Sequence, residues 1–209
     1  MERETGKRTS PIWLLADSEP SKWRDDLKGP LDPRHPARHN IWTPVLEVIQ
    51  DELFNSFKNH IESSNIYIRN SVDDPGLKPP SNNQDWDNVL AKELDKFKDI
   101  LNEYKPCIIL SFGAFAFEFA RRSLDETPLY KYRHWTTKLL GLEFRQRTSR
   151  FNYRKSNLIP LLHVSIARGK FLQAHAHFCG KDSDNYFEFA GKRLVPVIFD
   201  CSKAYHIWV

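Results

Sequence analysis

Short apolar runs alternate with helix-periodic segments along this chain, and that alternation leaves few folds open to it. Strand-length runs centre on residues 11–16 (Pro-Ile-Trp-Leu-Leu-Ala), 65–69, 106–112 and 158–162, the pattern of strands buried on both faces. Between them, Val45, Leu46, Ile49, Leu53 and Phe57 recur at helical spacing. So do Trp86, Val89, Leu90, Leu94, Phe97 and Leu101. Gly113 permits a tight turn from the third strand into a helix over 114–123. Strands that alternate with helices pair in parallel and are covered on both faces. The expected class is α/β: a three-layer α/β/α sandwich around a central, mostly parallel, four- to five-stranded sheet. Residues 1–10 read as a flexible tail and 11–209 as a single domain. That domain is expected to close with a helix over 184–190 and an edge strand over 194–199.

Composition narrows the function classes. At 209 residues, 40% of them hydrophobic, one domain can bury a sizeable core. No apolar run approaches the roughly 20 residues of a membrane span, and no signal-peptide pattern opens the chain, so no membrane partner is expected. Cys107, Cys179 and Cys201 are odd in number and form no CxxC pair. They support neither an iron–sulfur cluster nor a structural zinc, and they fit a reducing cytoplasm. His175, His177 and Cys179 would share one face if they lay in a strand, but no fourth ligand accompanies them, so no metal is expected. Gly113 lacks the flanking glycines of a dinucleotide loop, and neither a Walker motif nor a serine-nucleophile elbow is present. No cofactor is expected. The formal charge of +4 permits nucleic-acid binding without specifying it.

Four polar or small residues follow the four strands directly: Asp17, Asn70, Gly113 and His163. In parallel sheets, ligands collect at the carboxyl ends of the strands, so these residues belong to one rim. Asp17 opens the turn Asp17-Ser18-Glu19-Pro20, which also suits a plain solvated turn or a helix cap. The segment 22–44 that follows is long, basic and proline-rich, and carries His35 and His39. After His163 come Ser165, Arg168 and Gly169; a short loop of small residues ending in Arg-Gly can approach a phosphate backbone closely.

In this order the motifs resemble those of the uracil-DNA glycosylase superfamily. Residues 14–20 (Leu-Leu-Ala-Asp-Ser-Glu-Pro) are similar to its first motif, an apolar strand entering Gly-Gln-Asp-Pro-Tyr-His or Gly-Glu-Ala-Pro-Gly, with one extra residue. Residues 66–70 match the strand that ends in the base-reading asparagine, and 86–97 match its tryptophan-led helix. Residues 108–116 match a strand into a small-residue turn. His163-Val164-Ser165, Arg168-Gly169-Lys170-Phe171 and His177-Phe178 resemble its closing motif (His-Pro-Ser-Pro, Arg-Gly-Phe-Phe, His-Phe) without the two prolines. The resemblance spans roughly residues 11–200.

It implies a DNA partner, a monomer, and a monofunctional N-glycosylase that flips a base into a pocket and leaves an abasic site. Asp17 would stabilise the oxocarbenium-like sugar and position water, or Glu19 would do so if the extra residue precedes the acid. His163 would donate to the base carbonyl oxygen as negative charge grows there. Asn70 would read the pyrimidine edge, with Ser18 beside it, and Trp42 or His39 would stack on the flipped base. Ser165, Arg168 and Lys170 would grip the backbone, with Ile166 as the wedge into the vacated stack. The tyrosine that bars 5-substituted pyrimidines in uracil-specific members is replaced by Ser21. That departure points to a bulky modified cytosine of phage DNA, and hence to host defence. A uracil-excising repair enzyme and a non-catalytic recognition module of the same fold are the alternatives.

Overall fold

Among the described residues, five strands form one sheet in the order β1-β3-β2-β4-β5. They are β1 (Glu4–Thr5), β2 (Ile12–Ala16), β3 (Ile66–Asn70), β4 (Ile108–Phe112) and β5 (Asn157–Leu161). The computed structural model describes residues 4–18, 43–58, 60, 66–72, 74–79, 86–129, 131–167, 171–180 and 185–205. Strands β3, β2, β4 and β5 run parallel; only β1 is antiparallel, to β3. Hydrogen bonding is in register along the three parallel pairs, with Leu14 facing Ile68 on one side and Leu110 on the other. Strand residues such as Trp13, Tyr67, Ile109 and Ile159 are buried, each large apolar side chain contributing about 1.5–3 kcal/mol by leaving water.

The helices are α1 (Thr43–Phe57), α2 (Trp86–Tyr104), α3 (Ala114–Ser123), α4 (Thr137–Ser149), α5 (Val164–Ala167), α6 (Leu172–Cys179) and α7 (Tyr186–Tyr205). They pack in groups: α1 against α7, α4 against α6, and α2 against α3. That arrangement is compatible with the expected three layers. Two glycines allow close approaches between helices. A Cβ on Gly141 of α4 would lie 2.1 Å from the Phe178 carbonyl of α6, and one on Gly191 of α7 would lie 2.5 Å from Val48 of α1.

The structure departs from the sequence expectations near both ends of the chain and adds a helix between α3 and β5 that the sequence pattern does not mark. Part of the expected tail joins the sheet: Glu4 and Thr5 pair with Arg69 and Ile68, and the Glu4 carboxylate accepts hydrogen bonds from Tyr67 and Arg8. Tyr186–Tyr205 is a single helix, not a short helix followed by an edge strand. Leu194–Phe199 is rich in β-branched residues, yet Tyr186, Phe189, Ala190, Leu194, Val197, Ile198 and Cys201 are buried at helical spacing, and that periodicity overrides local propensity. The segment 124–156 also contains α4, begun by Thr136, whose hydroxyl accepts from the Leu139 amide at 3.3 Å.

Candidate active-site rim

The sheet order places a switch point between β2 and β4. From β2 the chain passes to β3 on one side, then crosses back to β4 and β5 on the other. Connections that leave adjacent parallel strands in opposite directions open a crevice outside their carboxyl ends. Asp17 follows β2 and Gly113 follows β4, so both flank this crevice. Asn70 ends β3 in register with Ala16, and the Ser71 amide donates to the Ala16 and Asp17 carbonyls at 2.8 and 3.1 Å. On the other side the Gly113 amide donates to the Leu161 carbonyl at 2.9 Å, two residues before His163. The rim expected from the sequence is therefore assembled.

Asp17 is 9% exposed. Its Oδ2 accepts a hydrogen bond from Lys78 Nζ at 2.5 Å, whereas its Oδ1 is buried with no hydrogen-bond partner among the described residues. A buried carboxylate oxygen left without a donor is costly, and it is available to a water or a ligand. Asn70 is 3% exposed, and half-buried Ser18 directly follows Asp17.

His163 is held in one tautomer. Its Nδ1 accepts from the Ser165 amide at 3.2 Å and lies 2.8 Å from the Ser165 hydroxyl. A backbone N–H can only donate, so Nδ1 carries the lone pair and the ring proton sits on Nε2. Burial pushes the imidazole pKa below its ordinary 6.5; the nearby Asp17 carboxylate acts the other way, and the Lys78 ammonium adds to the lowering. The result is a neutral ring with an Nε2–H donor at neutral pH, in the field of both Asp17 and Lys78.

The residues that hold this loop were not assigned that role from the sequence. Tyr186 is buried, and its hydroxyl accepts from the Leu162 amide at 2.9 Å. His175 Nε2 donates to the Ile166 carbonyl at 3.2 Å. His175 is thus a buried prop. In helix α6 it does not share a face with exposed His177, so the strand-face grouping of His175, His177 and Cys179 does not form. Among the described residues, no cluster of three metal-ligating side chains occurs. Lys78 also went unrecognised. It follows a 3-10 turn, Pro75–Leu77, and no local pattern marks it.

Gly113 shows how tightly the rim is built. Its φ is +90°, and a Cβ there would sit 2.7 Å from His163 Cβ. Gly113→Ala should therefore cost about 1–3 kcal/mol from backbone strain, and more from the contact. It should also lower activity beyond the loss of folded protein, because His163 has to move. Chemical denaturation and single-turnover rates on the folded fraction read the two effects separately.

Of the remaining site candidates, Ser165 is exposed and Ile166 packs partly against the core. Phe171 and Leu172, at 50% and 68% exposure, are the more accessible apolar side chains nearby. Glu19, His39, Trp42, Arg168 and Lys170 lie outside the described residues, as does most of the basic segment 22–44. A cleft of about 430 Å³ opens elsewhere, lined by Glu126, Glu143, Arg147 and Asn157. Asn157 begins β5, so this cleft lies at the opposite end of the sheet, and its Arg147 already pairs with both Glu126 and Glu143. No described helix is long and apolar enough to cross a membrane. Comparison with protein-family models and with curated proteins finds no match to this chain.

Proposed function

We propose that this chain is a DNA glycosylase that flips out a pyrimidine and hydrolyses its N-glycosidic bond, leaving an abasic site. One observation carries the reading: a buried carboxylate with an unpartnered oxygen shares a crevice rim with a neutral histidine whose Nε2–H is held as a donor. Breaking a glycosidic bond needs both groups. As the bond stretches, positive charge grows on the sugar and negative charge on the base. Asp17 stabilises the cation and orients water through Oδ1. His163 donates to the base carbonyl oxygen without having to lose a proton to it. Asn70 offers an amide donor and acceptor to a pyrimidine edge.

The substrate we favour is a cytosine with a bulky 5-substituent, as in modified phage DNA, with host defence as the role. Support comes from Ser21 standing where uracil-specific enzymes carry a tyrosine. For the wedge, Leu172 and Phe171 are better exposed than Ile166, and an apolar side chain that replaces a flipped base must be free to enter the stack.

The test uses three duplexes: unmodified, uracil-containing, and phage DNA carrying glucosylated hydroxymethylcytosine, each scored for abasic sites by alkali. Breaks confined to the modified DNA are expected. Breaks with uracil would make the protein a repair enzyme. Tight binding without breaks on any duplex would make it a recognition module.

A further inference from the structure

We propose that Lys78 is an amine nucleophile that opens the DNA strand at the abasic site, adding a lyase step to base excision and so departing from the monofunctional chemistry that the resemblance implies. The inference rests on the glycosylase reading, because that reading brings a sugar C1′ to Asp17. Lys78 Nζ lies 2.5 Å from Asp17 Oδ2. Any atom that Asp17 serves is therefore within a small side-chain movement of the amine. The amine is largely sheltered, its side chain 26% exposed, and sits 4.9 Å from the ring centre of Phe115 and 5.6 Å from that of Tyr132. The turn that leads into Lys78 is anchored as well. Asp74 accepts from the Gly76 amide through Oδ1 and from the Leu77 amide through its carbonyl, both at 2.9 Å. Pro79 then restricts the backbone of Lys78 itself. A surface lysine serving only solubility would have neither the shelter nor the carboxylate partner.

The chemistry follows from an amine beside a carboxylate. After excision, the abasic sugar opens to an aldehyde at C1′. Lys78 passes a proton to Asp17 across their hydrogen bond, and the freed lone pair forms the N–C1′ bond. The carbinolamine loses its hydroxyl as water, taking back the proton held by Asp17, and a protonated imine results. That imine acidifies C2′. Asp17, ionised again, removes a C2′ proton to give the enamine. A C2′–C3′ double bond then forms as the C3′–O bond breaks, its electron pair leaving with the phosphate. Water hydrolyses the conjugated imine and returns the amine, leaving an α,β-unsaturated aldehyde on one strand end and a 5′-phosphate on the other. One water is released and one consumed, and no oxidant or reductant enters.

A duplex with a pre-formed abasic site, incubated with the full chain and sodium borohydride, tests this step without any need for excision. Borohydride reduces the imine to a stable amine, so a covalent protein–DNA adduct is expected from the unmodified chain. Without borohydride, a nick is expected with no alkali. Lys78→Arg keeps the cation and its pairing with Asp17 but cannot form an imine, and Lys78→Gln removes the charge. Adduct and nick should fall to background in both, with thermal unfolding confirming that the variants are folded. No adduct from the unmodified chain, or an undiminished adduct from the variants, overturns the proposal. Alkali-scored excision on base-modified DNA stays a separate readout. Excision without adduct sinks the lyase step alone, and adduct without excision sinks the glycosylase reading alone.

Discussion

Asp17→Asn should remove base excision while leaving DNA binding in place. The substitution keeps the side chain's shape but removes the charge that would face the oxocarbenium sugar; with the amide oxygen kept on the Lys78 donor, an NH2 donor also stands where Oδ1 would accept from water. Loss of a positioned base and charge stabiliser lowers rates by roughly 10²–10⁴-fold, and a loss in that range is expected in single-turnover excision. Stability should respond in the other partner: Lys78 would keep its charge in a sheltered place without its carboxylate. The pair is 26% and 11% exposed, so partial solvation limits the expected cost to about 1–3 kcal/mol. Adding Lys78→Gln to Asp17→Asn should recover most of that stability and none of the excision rate. If Asp17→Asn excises at the unmodified rate, the activating acid is Glu19, as the alternative placement of the first motif allows.

What could be read in the sequence follows how local each signal is. The four parallel strands, α1, α2 and α3 were legible because their apolar spacing is long and regular. The rim was legible for a derived reason: once strands alternate with helices, parallel pairing and right-handed crossovers place every strand's carboxyl end at one edge. Asp17, Asn70, Gly113 and His163 needed nothing more than that. Lys78 was not legible, since it meets Asp17 only through a fold contact 61 residues away in sequence. Helix α4 was hidden because only Leu140, Gly141 and Phe144 of it are buried, too few for a clear period. Helix α7 was misread because its β-branched residues favour a strand and Pro196 disfavours a helix interior, although the buried set repeats at helical intervals. The tautomer of His163 depends on a backbone amide, which no side-chain pattern reports.

Glu118→Ala should be the most destabilising single change at a polar residue described here. Glu118 of α3 is fully buried and accepts four hydrogen bonds. Leu129 N and Arg122 Nε reach Oε1 at 2.6 and 3.1 Å; Trp135 Nε1 and Arg121 Nη1 reach Oε2 at 2.8 and 2.9 Å. The network continues through Arg121 to Glu126, and from Glu126 to Arg147 and Glu143. One carboxylate thus ties the segment after α3 to α3, and Glu126 ties it to α4. Truncation strips a buried charge from several donors at once. Breaking such a pair costs about 3–5 kcal/mol, or a thermal midpoint lower by about 6–20 °C for a domain of this size. Glu118→Gln, which keeps two lone pairs but not the charge, should fall by less. The acid limb of stability should carry the same network. Burial pushes the Glu126 carboxyl up, but hydrogen bonds and charge from Arg147, with help from Arg121, bring it below its ordinary 4.5. The stabilisation it gives is therefore full above that pH and is lost as pH falls through the lowered value. The consequence reaches the rim because the tied segment carries Tyr132, whose ring stands 5.6 Å from Lys78 Nζ. Hydrogen exchange in Glu118→Ala should accelerate first at residues 124–136, before β4 or β5 opens. A midpoint that moves by less than about 2 °C would instead show that aromatic packing, with Trp135 edge-on to Phe117 at 4.8 Å, holds the segment without the carboxylate.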